Sequence, residues 1–409
     1  MPDSIMSQNS YEEFRYFYLD YEADERLYLQ KIDKWEKPLK PFTCEDIVVS
    51  QDFNTYYYSR KKVNYKKGIN VTTISRKKNI TDIILNKETS FKKVKKHLVF
   101  GKKIAAQMSD TTSAFSYLSD EHDFSKIIGD SAYEYRTGVE FTPQELYMLV
   151  GLGTSPKSTH YRFENKKFAR SKYIVDDMPK NGWELPTQYI YPIITGPSLT
   201  PFKCSLENEY CILPYSSNKT DAPIEISEMM ASNSELFDYL LNHQNLIDSQ
   251  SEKSKVMRRG DEFYSLSKIG PYTFSKYIVA ARDNTKFCAT VIEPTTTPWG
   301  ETKQSICVKH TMIIGRTTSG KFIKKDEAYF IAGILNSDIV IQYMQNTFKS
   351  NGYSLKKSHF YLPEYDKSNP LHKEISNLAK KASKQTDEAK IAKIQTKLSE
   401  VYLKLCTSR

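Results

Sequence analysis

Several patterns that identify common classes of protein are missing from this sequence. No apolar run approaches the roughly 18 residues that a membrane-spanning helix needs. The first residues, MPDSIMSQNSYEEF, do not follow the basic-then-apolar order of a signal peptide. The six cysteines are scattered, with no CxxC pair and no Cys/His spacing of the kind that binds zinc. We therefore expect a cytoplasmic protein with free, buried thiols and no metal site.

Patterns for hydrolytic chemistry are also scarce. The seven histidines form no HExxH pair, and no familiar serine or cysteine nucleophile context is present. One metal-dependent nuclease arrangement can be drawn, in which Asp130 and Glu164 bind the ion and Lys166 lies near the attacking water. Because Glu-x-Lys is common by chance in a lysine-rich chain, surface charge is the simpler interpretation of these residues.

Positive charge is what the sequence has in excess. The chain has 59 Lys and Arg against 49 Asp and Glu, a formal net charge of +10. Between Arg60 and Lys103 there are fifteen basic residues and two acidic ones, next to a run of tyrosines, Tyr56 to Tyr58. A positive field attracts a polyanion without selecting its sequence. The pattern indicates nucleic-acid contact, with a solvated basic face as the alternative.

The chain length, 409 residues, leaves room for two or three domains, because single hydrophobic cores stop growing near about 250 residues. In the first part, the spacing of apolar residues predicts a helix over 11–33, with an aromatic stripe at Phe14, Phe17 and Tyr18. Alternation predicts a strand over 69–75. The stripe is either core or a docking surface for a partner.

Two short amphipathic helices are predicted between Ala328 and Met344, meeting at Asn336-Ser337. Asp326 and Ser337 are the predicted N-caps, since their short side chains can accept hydrogen bonds from the first turn. Residues 371–405 are predicted to be helical, with heptad spacing over only two heptads. Packing on the core and pairing with a partner helix both remain open for that segment.

The segment that contains the two short helices also resembles part of a known protein family. Leu335-Asn336-Ser337, Tyr343, Gly352-Tyr353 and Leu362-Pro363 are similar to the element near the C-terminus of DNA-recognition domains in restriction-modification adenine methyltransferases, the TaqI-like and fused type IIG enzymes. Further segments resemble the same family and occur in its order: 136–139, 145–150, 189–199, 210–215, the helix-like 235–246, the basic 253–259, and 307–314. Together they cover about residues 125–365.

The resemblance implies an α+β fold with a mixed, short-strand recognition domain. We expect a smaller basic N-terminal α/β region over 1–120, the target-recognition domain over 121–325, and a C-terminal helical part over 326–409 that packs on it. The basic N-terminal region is expected to contact the DNA backbone or to dock a partner.

The catalytic motifs of that family are missing. Its methyltransferases have a glycine-rich turn for S-adenosylmethionine and an Asn/Asp-Pro-Pro-aromatic tetrapeptide that holds the flipped adenine. The sequence offers only a lone GxG at Gly151-Leu152-Gly153, and Thr297-Pro298-Trp299 lacks the polar residue and the second proline. About 120 residues are too few for a methylase domain. We therefore expect no cofactor in this chain, and S-adenosylmethionine or Mg²⁺ only on a separate methyltransferase or nuclease subunit.

The sequence thus predicts a double-stranded DNA recognition subunit of a restriction-modification or related phage-defence system. Basic residues would hold phosphates, and side chains on loops between strands would read bases in the major groove. The candidate DNA-binding residues are Arg136, Thr137, Lys167, Arg170, Lys172, Arg258, Arg259, Arg282, Lys309, Arg316, Lys356 and Lys357. The alternatives are an enzyme, either a diverged N6-adenine methyltransferase or a restriction endonuclease with an attached recognition domain, and a structural adaptor without DNA sequence preference.

Overall fold

The computed structural model describes residues 27–36, 42–44, 52–77, 83–86, 88–108, 115–119, 122–169, 171, 173–251, 255–284, 286–346, 355 and 359–409. Helices and mixed sheets alternate irregularly along the chain, which confirms the predicted α+β class. The described residues form two compact units. The first contains those up to Gly129, with 341–346 and 359–361, and the second contains those from Asp130 to Val340, with 355 and 362–409.

The first unit is built on a five-stranded sheet in the order β3-β1-β4-β6-β7. A separate parallel pair joins β2 to β5. The elements are β1 Tyr28–Trp35, β2 Phe42–Cys44, β3 Phe53–Ser59, β4 Ile69–Arg76, β5 Ile83–Leu85, α1 Phe91–Lys95, β6 Leu98–Gln107, β7 Phe115–Tyr117 and a 3₁₀ turn Phe124–Ile127. Strand β4 confirms the strand predicted over 69–75.

The helix predicted over 11–33 is wrong where the structure describes it. Residues 28–33 belong to strand β1, which pairs with β3 on one side and β4 on the other. Leu29 and Ile32 are fully buried in the core of this unit. Their three-residue spacing suits a helix, but a bulge between Leu29 and Lys31 places both on one face of a strand. Phe14, Phe17 and Tyr18 lie outside the described residues.

The second unit contains a six-stranded sheet, β11-β10-β9-β15-β12-β20, and a four-stranded sheet, β17-β16-β21-β8. Its strands are β8 Arg136–Thr137, β9 Met148–Thr154, β10 His160–Asn165, β11 Trp183–Pro186, β12 Ile190–Ile194, β13 Leu199–Thr200, β14 Lys203–Cys204, β15 Glu209–Ile212, β16 Ile278–Arg282, β17 Ala289–Ile292, β18 Thr295–Thr296, β19 Thr302–Lys303, β20 Ile306–Cys307 and β21 Thr311–Ile314.

The helices that begin in this unit are short until the C-terminal part of the chain. They are α2 Gln144–Tyr147, α3 Ile226–Ser232, α4 Ser234–Asn242, α5 Gln244–Asp248, α6 Lys325–Leu335, α7 Asp338–Asn346, α8 Pro370–Ser383 and α9 Glu388–Thr407, with 3₁₀ turns at Gly196–Ser198 and Pro271–Phe274. Within the ranges given above, none combines the length and the apolar character that a membrane crossing requires.

Helices α6 and α7 confirm the predicted pair, and Asn336-Ser337 lies between them as expected. The predicted N-cap Asp326 is wrong, because the N-cap is Lys324 and Asp326 lies in the first turn. The Asp326 carboxylate instead pairs with Lys380 Nζ at 2.7 Å. Ser337 precedes α7, but its hydroxyl donates to the Ile334 carbonyl at 2.7 Å.

The predicted C-terminal helix is divided into α8 and α9. Asp387 begins α9 and accepts hydrogen bonds from the amides of Ala389 and Lys390. Helix α8 packs closely on α6 because Gly333 has no side chain: a Cβ there would lie 2.7 Å from Ile375 Cγ2. The apolar face of α9, including fully buried Leu398, is buried within the chain, which agrees with packing on the core.

A buried lysine joins the β18–β19 hairpin to the residues around β12. Lys303 Nζ donates to the backbone carbonyls of Thr187, Gln188 and Ile190, the latter two at 3.0 Å. Burial lowers the pKa of Lys303, and the nearby Glu301 carboxylate opposes that shift. The ammonium group therefore joins the hairpin to the backbone before and at the start of β12, where the Thr187 carbonyl also accepts from the Ile190 amide at 3.0 Å.

Candidate nucleic-acid interface

Strand β8 begins an extended segment, residues 136–140, at the edge of the four-stranded sheet. Its residues pair with neighbouring segments: Arg136 with Ile313, Thr137 with Met312, Val139 with Val308, and Glu140 with Ser267. The side chains of Arg136 and Thr137 are exposed. An edge strand that presents a cation and a hydroxyl has groups that can bind a phosphate or a base.

Gly138 allows this segment to lie close to its neighbours. A Cβ atom at this position would be 2.3 Å from the carbonyl oxygen of Cys307 and 2.4 Å from that of Val308. Both are backbone atoms and cannot rotate away. The glycine therefore permits a close approach of two backbones.

Arg136 lies near the ring of Tyr272, and the charge of Arg259 acts on the same tyrosine. The Arg136 guanidinium is 5.5 Å from the ring centroid, and its Nε donates to Glu134 Oε1 at 2.8 Å. Burial raises the pKa of the Tyr272 hydroxyl, and the positive charges of Arg136 and Arg259 act against that rise. Arg259 is exposed. The fold thus brings together two cations that are far apart in the sequence.

A second pair of cations shares one carboxylate. Lys268 Nζ lies 2.8 Å from Glu140 Oε2, and Lys309 Nζ forms an ion pair with Oε1 of the same group. Burial alone would raise the pKa of Glu140, but the hydrogen bonds from the two lysines outweigh it and the pKa lies below its usual value. Glu140 therefore stays ionised and holds both ammonium groups at the strand edge.

We call Arg136, Arg259, Lys268 and Lys309 the basic cluster. The carboxylates paired with its members are those of Glu134 and Glu140. Four cations against these two anions leave a net positive charge at the edge of the sheet. The Arg136 side chain is half-exposed, so its ion pair with Glu134 contributes little stability and a phosphate can replace that carboxylate at low cost.

A cleft of about 440 Å³ adjoins the basic cluster, since Glu140 and Lys309 are in its wall. The rest of the lining includes Phe141, Gln144, Tyr173 and Gln250. Glutamine amides can both donate and accept, which is the pattern that matches an adenine edge. The cleft therefore offers polar groups beside Lys309, and its wall also contains the carboxylates of Glu140 and Glu145.

Arg258 has a different environment from its neighbour Arg259. Its Nη2 donates to the Ile247 carbonyl at 3.1 Å and its Nη1 to the Phe263 carbonyl at 3.3 Å. The side chain is partly buried. Its guanidinium therefore joins the end of helix α5 to the loop before Tyr264, a structural use of the charge that sequence reasoning did not anticipate.

The side chains of Arg282 and Arg316 also contact the protein. Arg282 Nε donates to Asn284 Oδ1 at 3.2 Å at the end of β16. Arg316 Nε donates to the Gly320 carbonyl at 3.0 Å, and its guanidinium lies 5.4 Å from the centroid of the Phe322 ring. Both are half-buried, so part of each guanidinium still faces solvent.

Lys167 is exposed in the loop that follows β10. The structure gives no contact that joins it to the basic cluster. Four further candidates lie outside the described residues: Arg170, Lys172, Lys356 and Lys357. The prediction for these four, like that for Lys167, stays a prediction.

Sequence reasoning missed two residues of this region, Lys268 and Tyr272. Lys268 adopts a left-handed backbone conformation, with φ of 61°, immediately after the Glu140–Ser267 bridge, and the chain turns there. Neither residue belongs to a charge run or a spaced motif. Their role depends on pairing between distant parts of the chain, for which a single sequence gives no local signal.

The nuclease-like triplet and the GxG sequence include residues with structural positions of their own. Lys166, from the nuclease-like triplet, pairs with the carboxylate of Glu209. Gly151 and Gly153 lie within strand β9 and not at a strand-to-helix turn. Among the residues that the structure describes, no group of three or more His, Cys, Asp or Glu side chains is arranged to hold a metal ion.

Comparison with known proteins gives no further assignment. No protein-family model matches the sequence, and no curated protein is significantly similar to it.

Proposed function

We propose that this chain is a sequence-specific double-stranded DNA recognition subunit that gives target specificity to a separate catalytic chain of a restriction-modification or related phage-defence system. The observation that carries the DNA-binding part is the basic cluster. Arg136, Arg259, Lys268 and Lys309 come from three distant parts of the sequence and gather at one sheet edge. A net positive edge of this kind suits the phosphates of a polyanion.

Within this proposal the cations set affinity and register. Each phosphate that they neutralise releases counterions, so binding weakens as salt increases. Thr137 beside Arg136, and the Gln144 amide in the adjoining cleft, are groups that can distinguish base edges.

The remaining parts of the proposal rest on the sequence resemblance. The catalytic partner would be an adenine methyltransferase, a nuclease or both, and it would bind the S-adenosylmethionine or the Mg²⁺ that the chemistry requires. A cytoplasmic location, where such systems meet foreign DNA, belongs to the same proposal.

Duplex binding tests the central claim. The full chain is titrated into a fluorescently labelled duplex of random sequence, and anisotropy is measured over a series of salt concentrations. The double variant R136A/R259A should bind less tightly, with a salt slope smaller by about two, because two phosphate contacts are lost. The matched control K393A/K404A removes two cations from helix α9, outside the basic cluster, and should keep the wild-type slope. Equal slopes for the two double variants would reject the role of the cluster.

Sequence specificity and catalysis need separate measurements. Selection from a random duplex library should enrich a defined site, whereas a structural adaptor would enrich none. Methyl transfer to DNA and Mg²⁺-dependent cleavage are assayed with the purified chain alone. Either activity, if it is retained in a chain free of other proteins, would make this protein an enzyme and contradict the need for a catalytic partner.

A further inference from the structure

One face of the five-stranded sheet of the first unit carries the core of that unit. The opposite face is covered at one end, where Ile74 and Leu98 are buried, and exposed elsewhere; we call the exposed part the open face. Leu29, Ile32 and Val71 point into the core of the unit. The strand register places a different set of residues on the opposite face. One row across it contains Tyr57, Lys31, Asn70 and Ile104, and another contains Thr55, Asp33, Thr72 and Lys102. Phe100 lies on the same face of β6 as Lys102, two residues before it in the strand.

Large apolar side chains on the open face are in contact with water. The exposed fraction is 44% for Tyr57, 44% for Phe100, 47% for Ile104 and 46% for Leu118. Leu118 belongs to this face because its neighbour Tyr117 points into the core and side chains alternate along a strand. A group of exposed apolar residues on one face indicates an interaction surface, whereas single exposed residues need no explanation.

The charge of the region identifies the kind of partner. Lys102 is exposed on the open face, and Lys31 lies beside Tyr57 there. The surrounding sequence, from Arg60 to Lys103, has fifteen basic residues and two acidic ones. Apolar contact combined with this charge fits a polyanion that also has flat apolar surfaces. Nucleic acid has both, because every base has two faces and every nucleotide carries a phosphate.

Tyr57 is held in a fixed orientation on this face. Its hydroxyl donates to Asp33 Oδ2 at 2.6 Å, and Lys31 Nζ lies 5.1 Å from the ring centroid and 2.8 Å from Asp33 Oδ1. A ring already fixed by such a network loses little conformational freedom when a base stacks on it. The network thus holds the Tyr57 ring and the Lys31 ammonium group together on this face.

We infer that the open face binds single-stranded DNA, at a site additional to the duplex-binding basic cluster. A duplex keeps its base faces stacked inside, where Tyr57 and Phe100 cannot reach them, whereas an unpaired strand exposes them. Deoxyribose suits the aliphatic part of the face, formed by Ile104 and Leu118. A ribose 2′-hydroxyl placed against these side chains would lose hydrogen bonds to water without replacement.

Strand β6 supplies matched variants for the test, because neighbouring residues point to opposite faces. F100A and K102E alter the open face. V99A and K103E make comparable changes on the other face, where Val99 is 46% exposed and Lys103 is also exposed. The full chain is titrated into a labelled oligonucleotide of about 15 thymidines, and anisotropy is measured at fixed salt. Thermal melting followed by circular dichroism verifies that each variant is folded.

We expect F100A and K102E each to weaken binding of the thymidine oligonucleotide by about fivefold or more, the lower end of a lost stacking contact. V99A and K103E should bind like the wild type. No binding, or equal losses in both pairs of variants, would overturn the inference. Tighter binding of the matching uridine oligonucleotide would overturn the assignment to DNA. If size-exclusion chromatography shows that the chain self-associates, and the difference between the two pairs of variants disappears in the self-associated form, the face would be assigned to a second copy of the chain instead.

A duplex titration of the same variants separates this inference from the proposed function. F100A should keep the duplex affinity of the wild type, and in the R136A/R259A background F100A should still weaken single-strand binding. If F100A weakens single-strand binding and the wild-type chain does not bind duplex DNA, the proposed function is rejected and the inference about the open face is retained. Duplex binding without single-strand binding would sink only the inference about the open face.

Discussion

The side-chain amide of Asn336 exchanges two hydrogen bonds with the backbone of Ala289. The Ala289 amide donates to Asn336 Oδ1 at 3.0 Å, and Asn336 Nδ2 donates to the Ala289 carbonyl at 2.6 Å. Strand β17, which contains Ala289, is at the edge of its sheet. Asn336 is fully buried between α6 and α7 and so supplies the pairing that a further strand would otherwise give.

Replacement of Asn336 by alanine should destabilise the protein by about 1–3 kcal/mol, because the buried Ala289 amide loses its partner. The measurement is the free energy of unfolding from urea denaturation. Asn218, which is exposed, provides the control: N218A should change the stability by less than about 0.5 kcal/mol. Equal effects of the two exchanges would show that the contact with Ala289 contributes nothing.

The adjacent arginines Arg258 and Arg259 should respond differently to truncation. R258A removes charged donors from two backbone carbonyls, those of Ile247 and Phe263, and should cost about 2 kcal/mol of unfolding free energy. R259A should leave stability unchanged and weaken duplex binding. R258K, which keeps the positive charge, should have a stability between those of R258A and the wild type. A stable R258A protein with impaired DNA binding would assign Arg258 to the interface instead.

Glu140 should make stability depend on pH in the acid range. Its pKa lies below the usual value of 4.5 in the folded chain, so the stability that it contributes is complete above that value and is lost as pH falls through the folded pKa. The difference in unfolding free energy between the wild type and E140Q should therefore be largest near neutral pH and shrink below about pH 4.5. A difference that stays constant from pH 7 to pH 3 would exclude this ion-pair contribution.

Lys303 should be sensitive to loss of its charge. K303M keeps most of the side-chain volume but leaves the carbonyls of Thr187, Gln188 and Ile190 without the ammonium donor. We expect a loss of about 2 kcal/mol or more in stability, measured by urea denaturation. K393M, on the exposed face of α9, is the matched exchange and should be nearly neutral. If K303M were as stable as the wild type, the carbonyls would have found other donors.

Local patterns in the sequence predict the elements that local interactions determine. The spacing around Ile331 and Val340 predicts α6 and α7, and alternation predicts β4. The prediction fails at Leu29 and Ile32, where a bulge puts a helix-like spacing on one strand face. It also fails at Asp326, because the N-cap is two residues earlier, at Lys324, and Asp326 lies within the first turn.

The candidate interface shows the same limit more strongly. Arg136 and Arg259 could be proposed from their type, but their shared neighbour Tyr272 depends on how distant segments pair. The same holds for Lys268, which enters the cluster through Glu140. Arg258 looks identical to Arg259 in the sequence, and only the position of two carbonyls separates their roles.

The ammonium group of Lys303, in strand β19, occupies a position like that of a coordinated monovalent ion. Three carbonyl oxygens surround the Lys303 ammonium group as oxygen ligands surround a metal, so its charge determines the position of the backbone at residues 187–190. Acetylation of this amine would remove its charge and leave a single N–H, so at most one of the three oxygens would keep a donor from residue 303. A single modified atom would thereby loosen one end of the six-stranded sheet, although no strand pairing is touched directly.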